Sequence, residues 1–232
     1  MSESKKHDIL LYTSARSPNA MKIAVFTEEL KSAYGFEFER RLMDMSNDEQ
    51  KEPWYIAINP NGRIPALVDR SRDNFAVFES AAILLYLQEY YDPDNKFGWD
   101  VKESPNEYTE MIQWMLFAHG GIGPAQGQLN HFRHASEKIP YAIDLFTKDV
   151  KSRYAMLDKR MDGREYLAGP GKGMYSIADI NVLPWIRLRE YAGIPSLDEW
   201  PNLKRWYENT VTTHKPTWDR AAVAALGQSS NS

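Results

Sequence analysis

The sequence contains no cysteine among its 232 residues. This absence excludes disulfide bonds, cysteine nucleophiles, CxxC redox pairs and cysteine-ligated zinc. Any thiol that takes part in chemistry at this chain must therefore be brought by another molecule.

The chain also lacks an excess of positive charge and a long apolar run. Its 28 basic residues are outnumbered by 32 acidic ones, which leaves a formal net charge of -4 and no electrostatic footprint for nucleic acid. The longest apolar run, AAILLYL, is far shorter than the roughly 20 residues of a membrane span. The opening residues, MSESKKHD, lack the apolar segment of a signal peptide. We therefore expect a cytoplasmic protein with no nucleic-acid partner and no membrane partner.

The first part of the chain alternates the patterns of strands and helices. DILLYT and FEFERRLM have the length and apolar pattern of strands, while IPALVD and FAVFE flank the polar segment RSRDN as the strands of a hairpin do. Helical patterns begin at Pro18 and again at Ser80, and EPWYIAIN fits either a short helix or an irregular segment. This alternation predicts an α/β domain over residues 1–91.

The segment YDPDNKFGWDVKESPN is rich in proline, glycine and charge, and we assign residues 92–103 to a linker. Beyond it the patterns are helical, and the clearest repeats apolar residues at steps of three and four between Ile139 and Met161. Ser176 and Asp179 have the spacing of a capping box before another apolar run. We therefore expect an all-helical domain over residues 104–232.

Two further motifs resemble ligand sites, one for a metal and one for a phosphate, but lack residues that such sites need. His119, His131 and His134 lie close together in the sequence, but no carboxylate or cysteine accompanies them at a recurrent spacing, so we expect no metal. In GPGKG, Gly173 follows Lys172 and no strand precedes the motif, whereas a phosphate loop requires serine or threonine at that position. The sequence therefore favours a plain turn there.

Two neighbouring segments carry residue types that suit the backbone and head group of an amino acid. In NPNGRIPALVD, Pro65 opens a strand; a cis Ile64–Pro65 bond would turn the backbone of Ile64 outwards to pair with a bound peptide, and a trans proline on an edge strand is the alternative. In FES, the Ser80 hydroxyl and the following helix N-terminus suit a carboxylate, and Glu79 suits an ammonium group. An α-amino acid head group needs both.

The order of SPNAMK, NPNGRIPALVD, FESAAILLYL and YSIADI resembles that of glutathione transferases over nearly the whole chain. The stretches GGIGPAQGQLNHF and IPYAI are similar to those of the bacterial nu class and of the fungal group related to the yeast nitrogen-catabolite regulator. The resemblance implies a thioredoxin-like N-terminal domain with a cis proline, an all-helical C-terminal domain, glutathione as co-substrate and usually a homodimer.

The resemblance also implies where glutathione would bind. The implied residues are Glu79 and Ser80 for the γ-glutamyl end, Ile64 before Pro65 for the cysteinyl backbone, and Gln50 and Arg63 for the glycyl end. Many relatives follow IPYAI with an acidic residue and an arginine that reaches the tripeptide across the dimer, whereas this chain has Asp144 and Leu145. A cross-subunit contact would therefore depend on Lys148 or Arg133.

Classes of the family differ in the residue that faces the sulfur, and this sequence offers Tyr12, Ser14, Ser17 and Asn19. Tyr12 ends the first strand, as the catalytic tyrosine does in several classes. In the nu-like group a hydroxyl residue, a proline and an asparagine mark the helix start, which here are Ser17, Pro18 and Asn19. An amide and a hydroxyl at the positive end of a helix would stabilise a thiolate. We predict Asn19 as the first candidate catalytic residue and Ser17 as the second, with Tyr12 in the core.

The expected function is that of a glutathione transferase, which uses the thiolate of glutathione on electrophiles or for glutathione-dependent reduction of disulfides or peroxides. Its partners would be glutathione or glutathione disulfide and a small electrophilic or disulfide substrate. The candidate wall of the second-substrate cleft consists of Tyr108, Trp114, Phe117, His119 and Phe132. Two alternatives stay open, namely a non-catalytic regulator like the yeast relative and a carrier of apolar ligands.

Overall fold

The structure, a computed structural model, describes residues 8–14 and 17–225. Contacts divide the chain into two compact units, one that ends at Asp92 and resumes at Pro216, and one that runs from Pro93 to Lys215. The last helix thus groups with the first unit, whereas the sequence placed it in the helical domain. The domain limits 1–91, 92–103 and 104–232 stay a prediction.

The first unit contains the strands and helices that the sequence predicts, and EPWYIAIN forms a short helix. The strands are β1 (Ile9–Thr13), β2 (Phe38–Leu42), β3 (Ala66–Asp69) and β4 (Phe75–Phe78). The α-helices are α1 (Pro18–Tyr34), α2 (Pro53–Ile56) and α3 (Ser80–Tyr91). Short 3-10 helices lie at Met45–Asn47, Glu49–Lys51 and Arg70–Arg72.

The four strands form one mixed sheet in the order β2-β1-β3-β4. Strand β1 runs parallel to β2 across helix α1, while β3 is antiparallel to both β1 and β4. A parallel β-α-β unit followed by a hairpin and a helix is the thioredoxin-like arrangement, so the predicted fold of the N-terminal part is confirmed.

The register of the sheet brings three separate segments to one end of it. Tyr12 of β1 pairs with Ala66 of β3, and Ala66 pairs with Phe78 of β4. Because β3 begins where β1 and β4 end, residues 13–14 at the end of β1, the Ile64–Pro65 bond and residues 79–80 all lie at this end. We call these segments the terminal row.

The second unit is helical, as predicted. Its helices are α4 (Pro105–Phe117), α5 (Gly123–His134), α6 (Pro140–Arg160), α7 (Ile177–Arg187) and α8 (Pro201–Thr213), with a π-helical segment at Ala118–Ile122. The last helix, α9 (Lys215–Ala225), is the one that groups with the first unit. The GPGKG motif is the predicted turn, since the N–H of Gly173 donates to the carbonyl of Pro170 at 3.0 Å. Across residues 8–14 and 17–225, no helix is long and apolar enough to cross a membrane.

The predicted capping box opens helix α7 and contains a buried carboxylate. The backbone N–H of Ser176 donates to Asp179 Oδ2 at 3.1 Å, and Ser176 Oγ accepts from the N–H of Ala178 at 3.3 Å. Asp179, which is 0% exposed, also accepts from the Leu167 N–H at 3.0 Å and from Trp206 Nε1 at 2.9 Å. One carboxylate therefore ties the start of α7 to the preceding loop and to α8.

Candidate functional site

The start of helix α1 holds the two residues that the sequence places nearest to a thiol. Ser17 caps the helix, and its hydroxyl accepts a hydrogen bond from the N–H of Ala20 at 3.3 Å. Pro18 and Asn19 follow in the first turn, and all three are half-buried. Within the described residues the Asn19 amide makes no hydrogen bond, so it can donate to a ligand. The positive end of α1 favours an anion at the same place.

Tyr12 lies in the core on one face of the sheet. Its side chain is 6% exposed and belongs to a cluster with Met43, Tyr55 and Ala66. Its ring lies 5.4 Å from that of Tyr55 and 5.8 Å from that of Trp54, measured between centroids. Burial raises the pKa of the Tyr12 phenol, so it stays protonated at neutral pH. The prediction that Tyr12 is a core residue is confirmed.

The Ile64–Pro65 peptide bond is cis, as the resemblance to glutathione transferases implies. The loop before it is fixed by the carbonyl of Arg63, which accepts from the Tyr55 hydroxyl at 2.8 Å and from Asn59 Nδ2 at 2.7 Å. Within the described part of the chain, no backbone hydrogen bond is made by the N–H or the C=O of Ile64. Both groups are therefore available to the backbone of an extended ligand.

Glu79 and Ser80 form the junction between β4 and α3. Glu79 has φ 70° and ψ 119°, a conformation that is rare for a residue with a side chain. It stands at the N-cap of α3 without capping the helix, so the first N–H groups of α3 are left open to an anion. The Glu79 side chain is exposed, while Ser80 is only 3% exposed. Backbone strain of this kind is often found at binding sites.

Lys22 of α1 contacts the terminal row at Ser80, and it is not among the residues that the sequence predicts for the site. It lies on α1 with 0% exposure, and its Nζ is 3.4 Å from Ser80 Oγ. Burial lowers the pKa of Lys22 to about 7 from its ordinary 10.5, while the negative charge of Glu79 opposes that shift. A signal existed in the sequence, because Lys22 stands one helical turn before Phe26 and so lies on the apolar stripe of α1.

Gln50 and Arg63 lie in neighbouring loops of the first unit. Gln50 is 7% exposed; its Nε2 donates to Asp48 Oδ1 at 2.9 Å, and its Oε1 has no partner among the described residues. A side chain at Gly62 would come within 2.9 Å of the Gln50 carbonyl oxygen, which shows how closely the two loops approach. Arg63 follows Gly62 and is exposed. This corner therefore offers one exposed cation and one buried amide.

The five candidate wall residues for a second substrate all lie in the helical unit. Tyr108, Trp114 and Phe117 are on α4, His119 is in the π-helical segment, and Phe132 is on α5. The rings of Trp114 and Phe117 meet edge to face at 5.5 Å, whereas Phe132 stacks on Phe146 at 5.8 Å. The structure thus joins two of the five directly, and their role stays a prediction.

The histidines of the helical unit and Lys148, the candidate for a cross-subunit contact, lie outside the terminal row. Lys148 pairs with Asp144 at 2.7 Å on the exposed face of α6, and the neighbouring Leu145 is 47% exposed. In the part of the chain that the structure describes, no group of three or more histidine or carboxylate side chains could hold a metal ion. That a contact across a dimer would depend on Lys148 or Arg133 stays a prediction.

The chain is similar to other proteins along most of its length. Residues 8–89 match the family described as Glutathione S-transferase, N-terminal domain, and residues 141–213 match that described as Glutathione S-transferase, C-terminal domain. The disulfide-bond oxidoreductase YfcG of Escherichia coli is 36% identical over 220 residues, which cover 92% of this chain and 94% of that protein.

Two solved structures resemble the whole chain. A glutathione transferase homolog from Lodderomyces elongisporus, solved with two GSH per subunit, has a TM-score of 0.83 and 31% identity and covers 93% of this chain and 98% of its own. The glutathione transferase URE2P8 from Phanerochaete chrysosporium, solved with oxidized glutathione, has a TM-score of 0.84 and 27% identity and covers 98% of this chain and 100% of its own.

Proposed function

Because the chain belongs to the glutathione S-transferase family, we propose that it binds glutathione in its first unit and uses the thiolate of glutathione on a second substrate. The observation that carries this proposal is the terminal row. There the unpaired main chain of Ile64 lies next to the open N-terminus of α3, with Glu79 and Ser80 at that N-terminus. An extended peptide with an amino-acid head group fits these partners.

Each end of the tripeptide has a partner of suitable charge. The ammonium of the γ-glutamyl residue would pair with Glu79, and its α-carboxylate would accept from the Ser80 hydroxyl and the N–H groups of α3. The cysteinyl backbone would pair with Ile64, preceding Pro65. The glycyl carboxylate would lie at Gln50 and Arg63. These assignments place the sulfur towards Ser17 and Asn19 at the start of α1.

The chemistry then belongs to the bound thiol, because this chain has no cysteine. With an electrophile, the thiolate forms a thioether and displaces a leaving group. With a disulfide, one glutathione thiolate attacks a sulfur and releases a thiolate, and a second glutathione attacks the mixed disulfide to give glutathione disulfide and the second thiol. Peroxides would be reduced with the same two thiols. The name of the Escherichia coli relative, a disulfide-bond oxidoreductase, favours the disulfide reaction, and the two GSH per subunit of the Lodderomyces elongisporus protein match the two thiols that this reaction needs.

An activity panel tests the proposal. Purified protein is assayed with glutathione against an aryl halide, hydroxyethyl disulfide and cumene hydroperoxide, with heat-treated protein as the blank. We expect glutathione-dependent turnover, with the disulfide as the best substrate. Thermal stabilisation by glutathione without turnover of any of the three would instead favour the non-catalytic regulator.

The assembly and the compartment are part of the same proposal. We propose a cytoplasmic homodimer, which is the usual state in the family that the chain belongs to. Sedimentation of the purified protein would give twice the 26.8 kDa of one chain. A monomer at micromolar concentration would contradict the dimer and leave the terminal row unaffected.

Replacing Glu79 separates the binding role of its carboxylate from the strain of its backbone. Glu79→Gln is expected to weaken glutathione binding about tenfold, because a charged partner of the ammonium is lost while the side-chain shape is kept. Glu79→Gly is expected to weaken binding at least as much and to raise the free energy of unfolding by about 0.5–1 kcal/mol, because glycine adopts a positive φ without strain. Calorimetry and urea unfolding measure the two effects. Unchanged affinity in Glu79→Gln would contradict the assigned role.

A further inference from the structure

Lys22 is a fully buried lysine whose ammonium group reaches Ser80 of the proposed glutathione site. Its side chain is 0% exposed, although it stands on the first turns of α1 only three residues after Asn19. Burial of an ammonium group without compensation is costly, and proteins accept that cost where the charge has a use. A buried lysine at this position therefore needs an explanation that packing alone does not give.

The contacts of Lys22 point to an anion that would bind beside Ser80. An ammonium group has three N–H donors. Within residues 8–14 and 17–225, the one hydrogen bond of the Lys22 ammonium group runs from Nζ to Ser80 Oγ and is long, at 3.4 Å. The charged group that acts electrostatically on Lys22 is the carboxylate of Glu79, the residue before Ser80. Donors therefore remain unused on a cation that faces the start of α3.

We infer that Lys22 is a positioning residue of the γ-glutamyl subsite, where its ammonium donates to Ser80 Oγ and so turns the Ser80 hydroxyl hydrogen towards the α-carboxylate of glutathione. This inference rests on the proposed function, because it concerns the same ligand. A serine hydroxyl has one donor and two lone pairs. When Lys22 occupies a lone pair, the remaining hydrogen points away from Lys22 and is free for the ligand.

Binding of the ligand also raises the pKa of Lys22. The carboxylate at Ser80 brings a negative charge close to the ammonium, which stabilises the charged form of the lysine. The pKa of Lys22, which burial lowers to about 7 in the free protein, therefore rises when the ligand binds. Proton uptake then accompanies binding above neutral pH, and the groups that face this proton are Ser80 and Glu79.

The first test compares ligands with and without the α-carboxylate. S-methylglutathione and an analogue in which 4-aminobutanoate replaces the γ-glutamyl residue are titrated calorimetrically into the wild type and Lys22→Met. We expect Lys22→Met to bind S-methylglutathione at least about fivefold more weakly and the analogue as the wild type does. Lys31→Met is the matched control, since Lys31 lies on the same helix, is 47% exposed and pairs with Glu37.

The melting temperature and the pH dependence of ligand affinity distinguish a binding role of Lys22 from a purely structural one. The low pKa of Lys22 means that the unfolded chain binds its proton more readily, so the lysine destabilises the fold below about pH 10, fully so below about pH 7. Lys22→Met is therefore expected to melt no lower than the wild type at pH 7. The affinity of the wild type for S-methylglutathione should fall more steeply than that of Lys22→Met between pH 7 and pH 9.

Three results would overturn the inference. Equal binding of S-methylglutathione by the wild type and Lys22→Met would remove the role of Lys22 and leave the proposed function intact. Equal weakening for both ligands would show that the substitution only disturbs the fold. No binding by the wild type at millimolar ligand would overturn the proposed function together with this inference. A double variant with Ser80→Ala that is no weaker than Ser80→Ala alone would show that Lys22 acts through Ser80.

Discussion

Asp179→Ala is expected to lower the free energy of unfolding by about 3–5 kcal/mol. The substitution leaves four buried donors without an acceptor, namely the N–H of Leu167, the N–H and hydroxyl of Ser176 and Nε1 of Trp206. Each unsatisfied buried donor costs about 1–3 kcal/mol. Part of this loss is offset because the buried carboxylate, whose pKa burial raises to about 6, no longer has to be desolvated. Urea unfolding followed by circular dichroism measures the difference.

The matched control for Asp179 is another carboxylate of the same unit. Asp198 is exposed and pairs with Lys204 at 2.7 Å, so Asp198→Ala is expected to cost less than about 0.5 kcal/mol. Asp179→Asn should lie between the two, because one of its oxygens is kept while the amide faces donors. A loss below 1 kcal/mol in Asp179→Ala would contradict the view that this carboxylate organises the start of α7.

Asn19→Ala is expected to have the largest effect on turnover, a loss of up to about 100-fold in kcat/KM. The Asn19 amide is half-buried, makes no hydrogen bond within the described residues and stands at the positive end of α1. Its loss removes a donor to the thiolate, which shifts the pKa of bound glutathione upward. Turnover with hydroxyethyl disulfide and with an aryl halide, measured from pH 6 to pH 9, reports both effects.

The other candidates for the thiol serve as controls for Asn19. Ser17→Ala is expected to lose less activity and to cost about 1 kcal/mol of stability, because the hydroxyl caps α1. Tyr12→Phe should change kcat/KM less than about twofold, since its ring is packed against Tyr55. A larger loss in Tyr12→Phe than in the other two would reverse the assignment of the residue that faces the sulfur.

The sequence predicts most of the first unit and the start of α7 in the second unit, because the signals are local. A serine followed by a proline predicts the start of α1, and two strand patterns around a polar segment predict the hairpin of β3 and β4. The capping box of α7 is visible as a serine and an aspartate three residues apart. The same is true of Glu79 and Ser80, whose residue types suit an amino-acid head group and whose helix start is visible in the pattern. The cis bond before Pro65 is implied by the resemblance to glutathione transferases, because the proline by itself also fits a trans bond on an edge strand.

Features that depend on distant contacts were not predicted. The role of Lys22 is not predicted, because a lysine within a helix is normally exposed and its contact with Ser80 joins residues 58 positions apart in the chain. The grouping of α9 with the first unit likewise depends on contacts such as that of Arg220 Nε with Glu28 Oε2 at 3.2 Å. The close approach of Gly62 to the main-chain carbonyl oxygen of Gln50 is likewise a contact between separate segments. The pattern of α1 puts Lys22 on its apolar stripe, but a local pattern does not identify the distant residues that these segments contact.

Calorimetric titration of glutathione into the wild type and into a Glu79→Gln, Ser80→Ala double variant tests the central claim most directly. We predict one binding event in the first unit of the wild type and an affinity at least about 30-fold lower in the double variant, with the melting temperature of the protein kept within a few degrees. No heat of binding with the wild type at millimolar glutathione, or equal affinity of both proteins, would contradict the claim that the terminal row is the glutathione site.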